Sequence, residues 1–440
     1  MNTINLILHA HQPYVRHLEY EKFLEEDWLY ESLNETYIPL LRMLSKLEDE
    51  KVDFKISLCF SPTLLTMLLD EPLQERFVHY MERHIELGEK EVERTKAEDK
   101  ECHEMAKTYL EETRRNLNVY EAYDRNILTG FKKLSDMGKI ELVSSAATHA
   151  YLPLYKDYPD AINAQIAVGI KTHKKVFGTS PRGFWLPEGG YYPGLDKILR
   201  ANSIDWIQLA PQASLTSPDK SLYGGYRPIL FSSGLYGFPS DWSLTSLIWS
   251  NKTGYPCDGD YREFYRDIGY YLPMEYVEKY MHEPKLRVFT GYKYYAITGK
   301  TDDKNYYSKE KAREKLLLHV ENFLYNIRKK GSLLDACNIS DHVFNLTFDA
   351  ELFGHRWYEG IGFLEHTIRA MAKDSENFAF KSSSDIIDNH GKVDTIRVNE
   401  SSFGLRGGAD TWLDSSNSWI YRHTIKAIER MEELRERFPS

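Results

Sequence analysis

The sequence predicts an α/β barrel, and three observations carry the prediction. Short β-like runs alternate with helical patterns, the order expected of parallel βα units. About seven such runs fall within 440 residues that are 42% hydrophobic and 13% aromatic, enough for one large core. Titratable residues recur where the apolar runs stop, and in strand–helix folds chemistry gathers at the C-terminal strand ends.

INLILHAH (4–11) opens the series and ends in His9 and His11. FKISLCF (54–60) leads into Ser61-Pro62, a helix start with proline in the first turn. Residues 80–135 then break the rhythm: they are dense in charge, without a strand pattern, and read as a helical insertion solvated on one face. KIELVSS (139–145) resumes the series and stops near His149. A helical stretch over 160–178 ends at Gly178, and RGFWLPE (182–188) ends at Glu188. DWIQLA (205–210) and RVFTGYK (287–293) read as further strands, and 308–331 as a helix capped by Ser308 and Gly331. HVFNLTFDAE (342–351) is the last strand, leading into Asp349, Glu351, His355 and Trp357. A long helix opens at Ser416 or Asn417.

Composition narrows the function. The net charge of −10, with no basic stripe, argues against nucleic acid. Cys59, Cys102, Cys257 and Cys337 lie far apart, which excludes a zinc ribbon and argues against a disulfide framework. The N-terminus has no basic n-region, and no apolar run approaches the roughly 18 residues of a membrane span. A soluble cytoplasmic protein without membrane partners is expected.

The stretch FWLPEGGYY (184–192) places one carboxylate after an apolar run, where desolvation is costly unless the acid has a partner or faces a cleft. An arginine-paired structural acid is the plain reading. Four strand ends carrying titratable groups favour a shared cleft instead. Glu188 and Asp349 are the pair that glycoside hydrolysis needs, one attacking the anomeric carbon and one protonating the leaving oxygen. Phe348 and Phe353, together with a negative Glu188, are expected to raise the Asp349 pKa, leaving Glu188 ionised as nucleophile and Asp349 protonated as acid. Glu351, two positions on and on the same face of a strand, is the alternative acid.

Six segments in order resemble glycoside hydrolase family 57, particularly its branching-enzyme and α-amylase-like members. They are HAHQPY (9–14), FLEEDWLYESLNETYIPLL (23–41), WLPEGGYYPGLD (185–196), GYPCDGDYREFYRDIGY (254–270), TFDAELFGHRW (347–357) and TWLDSSNSWIYRH (411–423). The resemblance implies a (β/α)7 barrel, an incomplete TIM-type barrel, over 1–395, with the helical insertion at 80–135. A C-terminal helical region over 396–440 would contribute aromatic residues to the cleft. It further implies a retaining mechanism with no metal and no cofactor, with Glu188 as nucleophile and Asp349 as acid/base. The substrate-binding residues it implies are His9, His11, Trp28, His149, Tyr236, Trp249, His355, Trp357, Trp412 and Trp419. His11 and His149 would hold sugar hydroxyls, and the tryptophans would line the glucan path, since a pyranose presents an apolar face to a π-surface. Tyr236 would be the loop tyrosine that shields the intermediate from water. The chain departs from the family pattern at Gly189, where relatives carry cysteine, at Arg356, where they carry an aromatic, and at Ser240, where an arginine is expected.

The expected function is that of a 1,4-α-glucan branching enzyme in glycogen biosynthesis, acting on amylose, starch, glycogen or maltooligosaccharide. An α-amylase-type hydrolase is the alternative. Two rivals come from other classes. His9-Ala10-His11 fits the metal-ligand pattern of some metal-dependent barrel hydrolases. A non-catalytic glucan-binding protein would keep the aromatics without turnover. For Trp412 and Trp419, seven apart, packing on one helix face is the plain reading.

Overall fold

The computed structural model describes residues 1–282, 286–389 and 391–439. Ten strands are present among the described residues: β1 (Asn2–Ala10), β2 (Ile56–Phe60), β3 (Ile140–Ser145), β4 (Gly183–Trp185), β5 (Trp206–Leu209), β6 (Ile229–Leu230), β7 (Tyr236–Pro239), β8 (Val343–Asp349), β9 (Phe378–Phe380) and β10 (Asp394–Thr395). Their order is β10-β6-β7-β5-β4-β3-β2-β1-β8, with β9 beside β1. From β7 to β8 every neighbouring pair is parallel. The two outer members of that run meet. The Asp241 N–H donates to the Asn345 carbonyl (2.9 Å), and Asn345 Nδ2 donates to the Pro239 carbonyl (3.0 Å). The Ser240 and Thr347 hydroxyls bond at 2.7 Å. The seven parallel strands thus curl into the expected (β/α)7 barrel.

The strands read as unbroken apolar runs because both faces are covered: all nine residues of β1 are buried. Ile7, Cys59, Val143, Trp206, Phe238 and Val343 fill the inside. Gly183 allows that packing, since a Cβ there would lie 2.2 Å from the Trp206 ring. Outside, the larger cluster joins β1, β2 and β8 to the flanking helices. No helix among the described residues is long and apolar enough to cross a membrane.

Local signals held at several caps. The Ser61 hydroxyl accepts from the Leu64 N–H (3.3 Å), and Gly178 ends its helix at φ +80°. The charged stretch forms the helices Glu71–Arg94, Lys100–Ala122 and Leu128–Asp136, the first starting earlier than expected behind an Asp70 cap. The C-terminal helix, Ser418–Arg437, starts after Asn417.

Two expectations fail. Residues 287–293 form no strand. Their donors are taken by a side chain instead: the Thr290 and Gly291 N–H groups both bond the Asp267 carboxylate (3.0 and 2.9 Å), and Gly291 has φ +81°. The seventh barrel strand is β7. Gly331 does not cap its helix, which continues to Ala336. The glycine serves a helix–strand contact, where a Cβ would lie 1.9 Å from Asn2 Oδ1.

Candidate active site

The C-terminal ends of β1, β3, β4 and β8 open into one cavity of about 990 Å³, lined by His9, His11, His149, Glu188 and Asp349 among others. Glu188 follows β4 in a tight turn. Gln208 clamps the turn's base, accepting from the Leu186 N–H (3.0 Å) and donating to its carbonyl (3.1 Å). Gly189 and Gly190 donate to the carbonyls of Leu186 and Pro187 (both 2.9 Å). The turn forces Glu188 to φ +56°, a left-handed conformation costly for a residue with a Cβ. His149, just beyond β3, is held the same way at φ +54°. Such outliers persist where the surroundings over-determine them, as at functional sites.

Asp349 ends β8 directly beside His9 of β1, with His9 Nδ1 at 3.5 Å from Asp349 Oδ1. Burial, then the charge of Asp349, pushes Glu188 up to about 7. The two carboxyls therefore share one cavity and feel each other. The expected division of apolar surroundings is reversed, because Glu188 is the half-buried acid whose proton affinity burial raises, whereas the Asp349 side chain is 50% exposed. Phe348 precedes Asp349 on the strand and so faces the other side, and Phe353 lies beyond the 3₁₀ turn that follows β8; both are buried and pack edge to face at 5.5 Å.

Glu351 is not on the strand face of Asp349. A 3₁₀ turn at Ala350–Leu352 sets it, buried, into the cavity wall. It accepts from the His11 N–H (3.0 Å) and from the Tyr37 hydroxyl. Burial, then Asp349, raises Glu351 to about 8.

The histidines form a layered platform. His9 lies on Trp185 (4.6 Å, 4°), His149 on His9 (5.0 Å), and His11 on His149 (3.7 Å, 13°). Burial, then His9, holds His11 down at about 3, and burial, then His11, holds His149 well below its ordinary value. Both rings are neutral near pH 7, so each offers one donor and one acceptor nitrogen, which suits hydroxyls. The His9 and His149 Nε2 atoms are buried without a hydrogen-bond partner among the described residues. Stacked rings set their nitrogens in parallel layers and do not converge on a point. Among the described residues no group of three or more His, Cys, Asp or Glu is arranged to hold a metal ion.

Trp28, Trp249 and His355 also line the cavity, as do Ser240 and Arg356. The Glu35 carboxylate holds His355 Nδ1 at 2.6 Å. Four expected residues lie elsewhere. Tyr236 is the first residue of β7 and pairs with Trp206, the first of β5, so it sits at the opposite strand ends from the cleft. Trp357 is drawn into the core by the loop after β8, 2% exposed between Tyr261 and Phe363. Trp412 stacks on Tyr151 at 4.7 Å, outside the lining. Trp419 projects into solvent, 61% exposed, from a helix that buries no residue.

Other lining residues escaped the sequence reading: Trp185, Trp242, Glu31, Phe289 and Phe403. Trp185, Glu31 and Phe289 lie inside segments already singled out, whereas Phe403 comes from an irregular stretch with no periodic signal.

The family model described as Glycosyl hydrolase family 57 matches residues 5–399. A curated 1,4-alpha-glucan branching enzyme of Thermococcus kodakarensis is 28% identical over 99% of this chain, which spans 65% of that relative's length. Among solved structures, the alpha-amylase AmyC of Thermotoga maritima is 42% identical with a TM-score of 0.92, over 100% of this chain and 82% of its own. The family 57-type branching enzyme of Pyrococcus horikoshii is 29% identical with a TM-score of 0.87, over 100% and 79%.

Proposed function

This chain belongs to glycosyl hydrolase family 57, and from that premise we propose that it is a retaining α-glucan enzyme, a 1,4-α-glucan branching enzyme of cytoplasmic glycogen biosynthesis. One observation carries the chemistry. Glu188 and Asp349 share a cavity, and the charge of one raises the proton affinity of the other. With the proton on Asp349, its charge no longer opposes ionisation of Glu188. Glu188 then attacks C1 of an α-1,4-linked glucose unit while the half-exposed Asp349 protonates the departing oxygen. In the second step Asp349 accepts the proton of the incoming hydroxyl, C1 bonds to that oxygen, and Glu188 leaves. The neutral His11 and His149 hold hydroxyls of the reacting sugar, and His9 orients Asp349. Trp28 and Trp249 offer faces to neighbouring sugar rings.

If the acceptor is a glucan 6-hydroxyl, the product is a branch. The branching-enzyme relatives support this reading. Hydrolysis is the second reading, and two observations favour it: the greater identity to the Thermotoga amylase, and the position of Tyr236 away from the cleft. Incubation with amylose separates the two. New α-1,6 linkages with little rise in reducing ends support branching. Rapid reducing-end release without branches supports hydrolysis. Neither product, with folded protein and fresh substrate, overturns the glucan assignment.

A further inference from the structure

The segment around residues 401–403 is tied to the turn that carries Glu188. Tyr191 and Ser401 exchange both backbone hydrogen bonds (2.9 and 3.1 Å), and the Phe403 N–H donates to the Glu188 carbonyl at 2.8 Å. These bonds carry the Phe403 ring across Gly189. A Cβ on that glycine would lie 2.9–3.0 Å from three ring carbons, so the ring occupies the space a side chain at position 189 would need. The ring also meets that of Trp185, centroid to centroid at 6.0 Å, and Phe403, 39% exposed, forms part of the cavity wall. The Phe403 N–H is therefore spent on the Glu188 backbone, and an apolar face is left beside the carboxylate.

From this geometry we infer that Phe403 is the residue that sets the competition between water and a sugar acceptor at Glu188. The inference rests on the α-glucan reading above. In the second step the C1–Oε bond of the glucosyl-Glu188 ester breaks, C1 bonds to the acceptor oxygen, and the acceptor proton passes to Asp349. Water needs only a gap of its own size beside the ester, whereas a sugar must be held by the cleft. Phe403 closes the gap on the Gly189 side and offers water no hydrogen bond there. A sugar acceptor enters along the open cleft and is not obstructed. Phe403 touches neither leaving group nor acceptor, so its effect is on the partition and not on formation of the ester.

The test uses the full-length protein with a maltooligosaccharide donor and a fixed excess of a second, labelled maltooligosaccharide as acceptor, reading transfer and hydrolysis products in one tube. Their ratio is independent of how much enzyme is folded. F403A is expected to lower the transfer-to-hydrolysis ratio about tenfold, the scale on which a small change in an apolar pocket alters discrimination at a reacting centre. F403Y keeps the ring and is expected to hold the wild-type ratio. A ratio unchanged in F403A, with both products falling together, overturns the inference and leaves the glucan reading intact. Equal loss of ratio in F403A and F403Y also overturns it, since the ring would then not be the agent. A wild-type protein that releases neither product defeats the underlying reading instead.

Discussion

Two glutamates of the molecule, the buried Glu91 and the half-buried Glu188, are in opposite situations. Glu91, in the helical stretch, is satisfied on every side: Arg94 holds both its oxygens (2.9 and 2.7 Å), and the hydroxyls of Tyr276 and Tyr294 each donate to it at 2.8 Å. Glu188, in the cleft, makes no side-chain hydrogen bond or ion pair with any described residue, and its nearest charge is another acid. A buried charge is normally paired because desolvating it is costly. Glu91 follows that rule and holds helices together. Glu188 breaks it, and a site that keeps an unpaired carboxyl beside a second one is set up to change protonation state or to form a bond.

The largest test of the contrast exchanges function for stability. E188Q is expected to lower glucan turnover by about 10⁴-fold or more, the scale of losing a nucleophile, with no loss of folding stability. The pH dependence should follow. Glu188 has a folded pKa raised to about 7 from its ordinary 4.5. The native state therefore binds more protons than the unfolded chain between those values, and this group's contribution makes wild-type stability fall as pH rises through that window. Denaturant titrations at pH 4.5 and 8 should show E188Q relieved of that decline. A variant that retains turnover, or that loses stability at pH 8, would make Glu188 a structural acid like Glu91.

E91Q tests the other side. It should cost about 2–3 kcal/mol in urea denaturation, because a bidentate arginine and two hydroxyls lose a charged acceptor. Turnover per folded molecule should not change. A selective loss of activity would mean that the helical stretch communicates with the cleft.

The legibility of these features follows the same physics. The barrel was readable because parallel strands covered on both faces leave continuous apolar runs, as in β1 and β8, and Glu188 and Asp349 stood out as charges at the ends of such runs. Partners contributed through tertiary contact left no local trace. Nothing in the chain near Glu188 announces Phe403, more than 200 positions away. The 287–293 run has the composition of a strand, yet its backbone is satisfied by the Asp267 side chain. Sequence proximity also promised that Phe348 and Phe353 would surround Asp349, but alternation turns Phe348 to the other side of the strand and Phe353 lies past the turn after β8. Trp357 and Trp412 show that an aromatic in a characteristic segment can pack against protein and not against ligand.

Smaller effects sharpen the distinction between residues inside and outside the cleft. Trp28 and Trp419 are both well exposed, at 46% and 61%, but only Trp28 lines the cavity. W28A should raise KM for amylose about tenfold, consistent with losing a stacking surface, and W419A should leave KM and kcat within about twofold. Initial-rate curves on the two variants decide it. Equal effects would bring the C-terminal helix into the substrate path.

The smallest effect concerns the third acid. Glu351 is buried like Glu91 and close to Asp349 like Glu188, yet it is bonded by donors that a neutral group can also satisfy. Raised to about 8, it is protonated through the neutral range. Glutamine reproduces its neutral form and keeps a carbonyl oxygen for the His11 N–H and the Tyr37 hydroxyl. E351Q should therefore stay within about threefold of wild-type kcat at pH 6–7, whereas E351A leaves both donors unpaired and should lose at least about tenfold. Above pH 8 the wild-type Glu351 ionises next to Asp349 and the glutamine does not, so the alkaline limb of kcat should move upward in E351Q. An E351Q loss as deep as that of E188Q would transfer the proton-donating role from Asp349 to Glu351, and the cleft would then hold its acid on the turn behind β8 and not at the strand's end.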